Sequence, residues 1–208
     1  TTAEAVRDLQ LALDNGAQHI SWYQLTIEPN TAFYSHPPVL PNDDFLADIQ
    51  QAGMAILQEY GFAQYEVSAF ALAGKMSQHN FNYWQFGDYL GIGAGAHGKI
   101  TVPADKTVIR TTKTRLPAHY LARDGSAPAR RKSIASAEIA LEFMMNGLRL
   151  KQGVPTAYLS ERTGLATSAV EAQIHNLQSK GLMESNSENY QTTALGYQFL
   201  NTVLQSFD

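Results

Sequence analysis

The stretch His19-Ile20-Ser21-Trp22-Tyr23-Gln24-Leu25-Thr26 reads as a β-strand, being rich in β-branched and aromatic residues. An amphipathic stretch lies on either side of it. Residues 2–15 place Val6, Leu9 and Leu13 at helical spacing, with Thr2 as the N-cap and Gly16 as the stop. Residues 42–60 form the second, capped by Asn42, with Asp43, Asp44 and Asp48 near the positive end of the helix dipole and Gly61 at its close. Between the strand and this helix, residues 28–41 hold four prolines and must be an extended loop. Residues 62–71, carrying Tyr65-Glu66-Val67-Ser68-Ala69-Phe70, read as another strand. Helix, strand, helix, strand argues for parallel βα units and an α/β first part. Two such units cannot close a barrel or cover both faces of a sheet, so a fragment of a longer protein is expected. The start, Thr1-Thr2-Ala3-Glu4, lacks a Met and shows no signal-peptide pattern.

Residues 72–88 read as a polar and aromatic loop. A glycine-rich run, Tyr89-Leu90-Gly91-Ile92-Gly93-Ala94-Gly95-Ala96-His97-Gly98, follows, and its small residues permit close backbone approach. A strand is expected over 108–114, and residues 123–132 form a linker ending in Arg130-Arg131-Lys132. The texture then changes. Helices are expected over 133–150, 156–163 and 167–180, then a hairpin of 182–184 with 190–192, then a helix over 193–206. That is the winged-helix order, in a small α+β domain at 133–208. The expected organisation is therefore 1–122, 123–132 and 133–208.

The 208 residues are 44% hydrophobic and 16% charged, which excludes a disordered chain, and no apolar run approaches the roughly 20 residues that span a bilayer. Zero cysteines exclude disulfides, a thiolate nucleophile and thiolate-held zinc or iron–sulfur clusters, in keeping with a cytoplasmic protein. Charge is uneven. Residues 1–98 carry 2 Lys and Arg against 10 Asp and Glu, residues 99–132 carry 9 against 2, and residues 133–208 carry 4 against 7. The basic block is either a solvated surface or a site for an anionic ligand.

His79-Asn80-Phe81-Asn82-Tyr83-Trp84 is the most unusual stretch. Two readings fit it: an imidazole offered to a metal or heme iron beside an aromatic wall, or polar groups bonded to loop backbone with Tyr83 and Trp84 in the core. His97 ends the glycine-rich run, where α/β folds bind ligands, or is satisfied locally. The glycines are not a dinucleotide fingerprint. Glu66 is read as facing solvent at a strand edge, with an acid–base role as the alternative. His19, His36, His119 and His175 have no partner pattern and are read as structural. Residues 167–181 hold one cation, Lys180, and one anion, Glu171, too little charge for phosphate neutralisation, so no nucleic-acid partner is expected.

Four blocks in order, Trp22-Tyr23-Gln24-Leu25-Thr26-Ile27-Glu28-Pro29-Asn30-Thr31, Tyr65 to Ala71, His79-Asn80-x-x-Tyr83-Trp84 and Gly87 to His97, resemble the HemW group of heme chaperones. These are radical S-adenosylmethionine (SAM) proteins, similar to oxygen-independent coproporphyrinogen III oxidases. The resemblance implies the C-terminal portion of a partial (β/α)6 barrel followed by a winged-helix-like domain. It implies heme as ligand, with His79 on the iron and Asn80, Tyr83 and Trp84 around it, and Thr26, Ala96 and His97 toward SAM. The family's [4Fe–4S] cluster is held by a CxxxCxxC loop that this sequence lacks, so radical chemistry cannot occur in this chain alone. The implied partners are heme and an apo-hemoprotein acceptor, which is membrane-associated in one version, and the basic run 99–132 gains a task in meeting heme propionates. Two rival readings stand beside this one, a coproporphyrinogen III dehydrogenase and a winged-helix DNA-binding protein.

Overall fold

Thr1, rather than Thr2, caps the first helix. Its hydroxyl accepts from the Glu4 N–H, and the Glu4 carboxylate reaches back to the cap, closing a capping box at the start of α1 (Thr2–Asp14). The structure is a computed structural model that describes residues 1–105, 107–123 and 130–208. Within them the chain forms two compact units, Thr1–Ser77 and Gln78–Asp208.

In the first unit α1 is followed by β1 (His19–Ser21), the single turn α2 (Ala32–Ser35), α3 (Asp43–Glu59), β2 (Ala63–Glu66) and β3 (Ala69–Ala71). Asn42 caps α3 as expected, accepting from the Phe45 N–H. The two expected strands come out shorter and differently paired. Extended pairing on the first ends at Ser21, and the second splits at Val67-Ser68 into a hairpin. The Glu66 carboxylate drives this split. It is buried, not solvent-facing, and accepts from the Ser68 N–H at 3.0 Å, fixing the turn from within. The sheet order is β1-β3-β2, antiparallel at both pairings, with Ile20 opposite Phe70. β1 and β2 therefore run in the same direction, as a helical crossover between them requires, but β3 is inserted between them. The parallel pairing expected from the element order does not occur among the described residues.

Leu9 and Leu13 of α1, Leu57 of α3, and Ile20, Phe62 and Phe70 form this unit's core. Trp22 packs on its edge, tilted against Phe70 at 6.5 Å. The indole lies so close to α3 that a Cβ on buried Gly53 would overlap it.

The second unit contains α4 (Gln78–Trp84), β4 (His97–Val102), β5 (Thr107–Thr112), α5 (Pro117–Leu121), β6 (Arg130–Ser133), α6 (Ser136–Gly147), β7 (Val154–Pro155), α7 (Ala157–Thr163), α8 (Glu171–Ser179), β8 (Asn189–Tyr190), α9 (Ala194–Gln198) and α10 (Leu200–Leu204). β4, β5 and β6 make an antiparallel sheet in that order. One core runs from Phe86 and Val108 through Ile139, Phe143 and Met144 of α6 to Leu159, Leu177 and Val203. The expected linker at 123–132 thus falls inside this unit, and its residues 124–129 lie outside the described ones. The expected hairpin keeps one bridge, Met183 to Thr192, flanked by the Glu184 N–H on the Gln191 carbonyl at 2.9 Å and the Thr193 N–H on the Leu182 carbonyl at 3.1 Å, while Asn189–Tyr190 also pairs with Val154–Pro155. The last helix breaks at Phe199.

Replacing Gly53 with Ala should force Trp22 off α3. Overpacking of this kind costs about 1–3 kcal/mol. Urea unfolding followed by Trp22 fluorescence in a Trp84→Phe background is expected to show the lowered midpoint.

Candidate functional site

The HNxxYW stretch is helical, not a loop. His79 and Tyr83 stand four residues apart, so α4 presents them on one face. Their rings meet edge to face, with centroids 4.6 Å apart and planes at 86°. His79 is exposed. Tyr83 is backed in turn by Tyr89, at 4.3 Å and 79°. The Arg110 guanidinium of β5 closes this row: Nη1 donates to the Tyr89 hydroxyl at 2.8 Å, and Nη2 meets the Glu142 carboxylate of α6 at 2.5 Å. His79, Tyr83, Tyr89, Arg110 and Glu142 thus form one continuous chain of contacts.

Trp84 points elsewhere. The Arg149 guanidinium lies 4.3 Å over its ring, beyond the C-terminal end of α6, and its indole N–H is buried without a hydrogen-bond partner among the described residues. Asn80 is half-buried. The structure therefore brings together His79 and Tyr83, and sets Trp84 to hold the helix down.

α4 ends in a Schellman arrangement. Gly87 N–H donates to the Asn82 carbonyl at 2.7 Å and Phe86 N–H to the Tyr83 carbonyl at 2.9 Å. Phe86 takes the left-handed position usually given to glycine, with φ of 63° at Asn30 the other non-glycine instance among the described residues and 59° here. A Cβ on Gly87 would strike Asn82. The turn is held by Lys99, 1% exposed, whose ammonium lies 4.2 Å from the Phe86 ring centroid. Its Nζ donates to the Phe86 carbonyl at 3.0 Å, to Asp88 Oδ1 at 2.8 Å and to Thr101 Oγ1 at 3.2 Å. Asp88 also accepts from the Thr101 N–H and hydroxyl, each at 2.8 Å. Burial pulls the Lys99 ammonium below its usual pKa, partly offset by Asp88. Burial pushes the Asp88 carboxyl up, but the donors from Lys99 and Thr101 outweigh it and hold the pKa below the usual carboxylate value.

The glycine-rich run folds back along β4. Tyr89 and Lys99 exchange backbone hydrogen bonds at 2.9 Å, and Gly91 lies so close to His97 that a Cβ there would meet its backbone. Ala96 is half-buried and accepts from the Lys113 N–H at 2.8 Å, while His97 is exposed at the start of β4. Thr26 lies in the first unit, exposed on a cleft of about 500 Å³ lined by Trp22 to Thr26, Leu46 and Phe70. His19 is bonded to the Tyr65 hydroxyl at 2.9 Å.

Part of the basic run is neutralised in place. Lys99, Arg110 and Lys132 stand opposite one another across the sheet. Each faces a carboxylate: Asp88, Glu142 and, at 3.9 Å, Glu138. Arg130 and Arg131 remain exposed on β6. Among the described residues no group of three or more His, Asp or Glu side chains could hold a metal ion, and no helix is long and apolar enough to cross a membrane. Reading the sequence missed Tyr89, Arg110 and Glu142. The four-residue spacing of His79 and Tyr83 was the available sign that the stretch is a helix with both rings on one face.

Residues 134–199 match the family model of the HemN C-terminal domain. The fold of the whole chain is similar to a solved structure titled "Coproporphyrinogen III oxidase (HemN) from Escherichia coli is a Radical SAM enzyme", with a TM-score of 0.70 at 15% identity, covering 100% of this chain and 52% of that one. The chain thus has the fold of the corresponding part of a HemN-type radical SAM protein. Sequence narrows this further. The chain is 43% identical over 204 residues to the "Heme chaperone HemW" of Escherichia coli, with 98% of this chain and 53% of that protein covered. Against the Haemophilus influenzae "Heme chaperone HemW" it is 44% identical over 207 residues, covering 100% and 53%. A more distant match is the bovine "Radical S-adenosyl methionine domain-containing protein 1, mitochondrial", 30% identical over 214 residues, covering 97% and 48%. The chain is a HemW homologue along its whole length, and spans about half the length of the curated relatives it matches.

Asp88→Asn should leave a buried ammonium poorly compensated and cost about 3 kcal/mol, the lower end for a broken buried pair because the carboxylate is half in solvent. Asp88 has a lowered folded pKa, so its contribution is present at neutral pH and lost as pH falls below the ordinary carboxyl value of 3.8. Urea midpoints at pH 7 and in the acid range are expected to differ less for the variant than for the parent. Equal midpoints for the two proteins at pH 7 would contradict the assignment.

Proposed function

We propose that this chain binds heme as cargo in a heme chaperone of the HemW kind, and that His79 ligates the iron. The observation that carries this reading is the exposed imidazole of His79 on a helix face shared with Tyr83. Sequence identity to proteins named heme chaperones supports it. A neutral imidazole nitrogen donates its lone pair to heme iron. Tyr83 limits the rotation of that imidazole and offers a flat apolar surface to the porphyrin. Asn80 completes the polar side of the motif, and Trp84 contributes by anchoring α4 under Arg149. An exposed ligand suits a carrier, because an acceptor's own ligand can reach the iron and displace His79. The acceptor in this reading is an apo-hemoprotein, membrane-associated or not, met by a cytoplasmic protein. The exposed cations Arg130 and Arg131 are the candidates for meeting heme propionates.

The same reading keeps residues 1–122 as part of a partial radical SAM barrel and 133–208 as a winged-helix-like domain, joined by 123–132, whose last residues are paired in β6. SAM and a [4Fe–4S] cluster belong to the longer protein. Thr26, Ala96 and His97 are the positions offered toward SAM. The cluster does not fit the residues present, since the chain contains no cysteine, and no step runs through it. The coproporphyrinogen dehydrogenase reading rests on a likeness of fold at 15% identity, and the chaperone reading on 43% identity in sequence. Nucleic-acid binding is not favoured, since α8 carries little positive charge.

A hemin titration of the 208-residue chain, followed by absorbance, tests the proposal against His79→Ala. The expected result is saturable binding with a shifted Soret band, weakened at least about tenfold in the variant, the equivalent of ~1.4 kcal/mol. Absence of saturable binding, or equal affinity in the two proteins, overturns it.

A further inference from the structure

We infer that Arg110, braced by Glu142, is a positioning residue for His79, acting through Tyr89 and Tyr83. This rests on the heme-ligand reading of His79. His79 sits on a seven-residue helix with its imidazole exposed, and its ring contact is with Tyr83. A ligand side chain that rotates freely must be ordered when heme binds, which lowers affinity. The order has to come from outside so short a helix.

The ring row supplies it. Tyr83 is held edge to face against Tyr89. Tyr89 is fixed at its backbone by two hydrogen bonds to Lys99 and at its hydroxyl by Arg110 Nη1. Arg110 in turn cannot swing, because its second terminal nitrogen is held by Glu142 of α6. A guanidinium is suited to this place: its planar fork reaches two partners at once in fixed geometry, which an ammonium does not. The strand beneath is fixed too, since Arg110 lies between Lys99 and Lys132 in the middle of the sheet. Orientation set by the sheet and α6 is thus passed through two rings to the imidazole. The arrangement is independent of the Lys99–Asp88 turn except at the Tyr89 backbone.

The test uses hemin titrations of Arg110→Gln, Tyr89→Phe and the double variant, with His79→Ala and Lys132→Gln beside them. Tyr89→Phe removes one hydroxyl and keeps the ring, so it carries the test if Arg110→Gln folds poorly. Each single variant is expected to weaken hemin binding about three- to tenfold, the size of one ring contact, and to broaden or shift the Soret band as the iron ligand loses its fixed orientation. Both act through one bond, so the double variant is expected to match the worse single. Lys132→Gln removes a cation from the same row without touching Tyr89 and is expected to weaken binding less than Arg110→Gln does, with the Soret band unchanged; an equal loss there assigns the effect to charge and overturns the inference. Parent-like affinity and Soret band in Arg110→Gln and Tyr89→Phe, while His79→Ala loses binding, overturn the inference; so do effects that multiply in the double variant. If His79→Ala itself binds like the parent, the heme-ligand reading fails instead.

Discussion

A buried ammonium governs the second unit. Lys99 lies inside the protein, under the ring of Phe86, and a charge in that position is tolerated only when its donors are met. The groups that meet them come from separate places: the carbonyl of Phe86, the carboxylate of Asp88 and the hydroxyl of Thr101. Thr101 is further tied to the Arg162 carbonyl at 3.2 Å, and Arg162 to the Gln85 carbonyl at 2.6 Å. The cation fixes the turn after α4 on the strand β4, and Thr101 and Arg162 extend that tie to the end of α7. It also stabilises the left-handed backbone at Phe86, which costs on the order of 1–3 kcal/mol for a residue with a bulky side chain.

The helix that carries His79 ends in that turn. α4 is too short to be stable alone. It is held at its C-terminal end by the Phe86 turn, along one side by Trp84 under Arg149, and along the other by the Tyr83–Tyr89 stack. α6 backs all three. Phe143 packs on Phe86 at 5.6 Å, Glu142 holds Arg110, and Arg149 follows the helix end. Glu138 and Glu142, one turn apart, also set carboxylates against two members of a cation row that would otherwise repel across the strands.

Helix positions in the first unit were legible because caps and apolar spacing agree there: Asn42, Leu9, Leu13 and Gly61 all do what their residue types suggest. Strand pairing was not. The turn inside residues 62–71 depends on a buried Glu66 carboxylate folding onto the Ser68 backbone, and nothing in a β-rich run announces a side chain that turns inward. The HNxxYW stretch was legible as unusual but not as helical, since Asn and aromatic residues are indifferent helix formers and tertiary anchoring decides the outcome. Arg110 and Glu142 were illegible for a different reason. They lie 32 residues apart, and only the register of β5 against α6 brings them together. Read as part of a charge block, Arg110 was one cation among nine; its task comes from the one carboxylate opposite.

The chain contains two tryptophans, and they are divided one to each compact unit. Trp22 is packed against α3 and tilted on Phe70, and Trp84, the last residue of α4, lies under the Arg149 guanidinium. Intrinsic emission is therefore a pair of separately addressable signals. The first reports the sheet and helices of residues 1–77. The second originates one residue from Tyr83, on the helix that carries the imidazole, where an acceptor absorbing in the near ultraviolet would quench it by energy transfer.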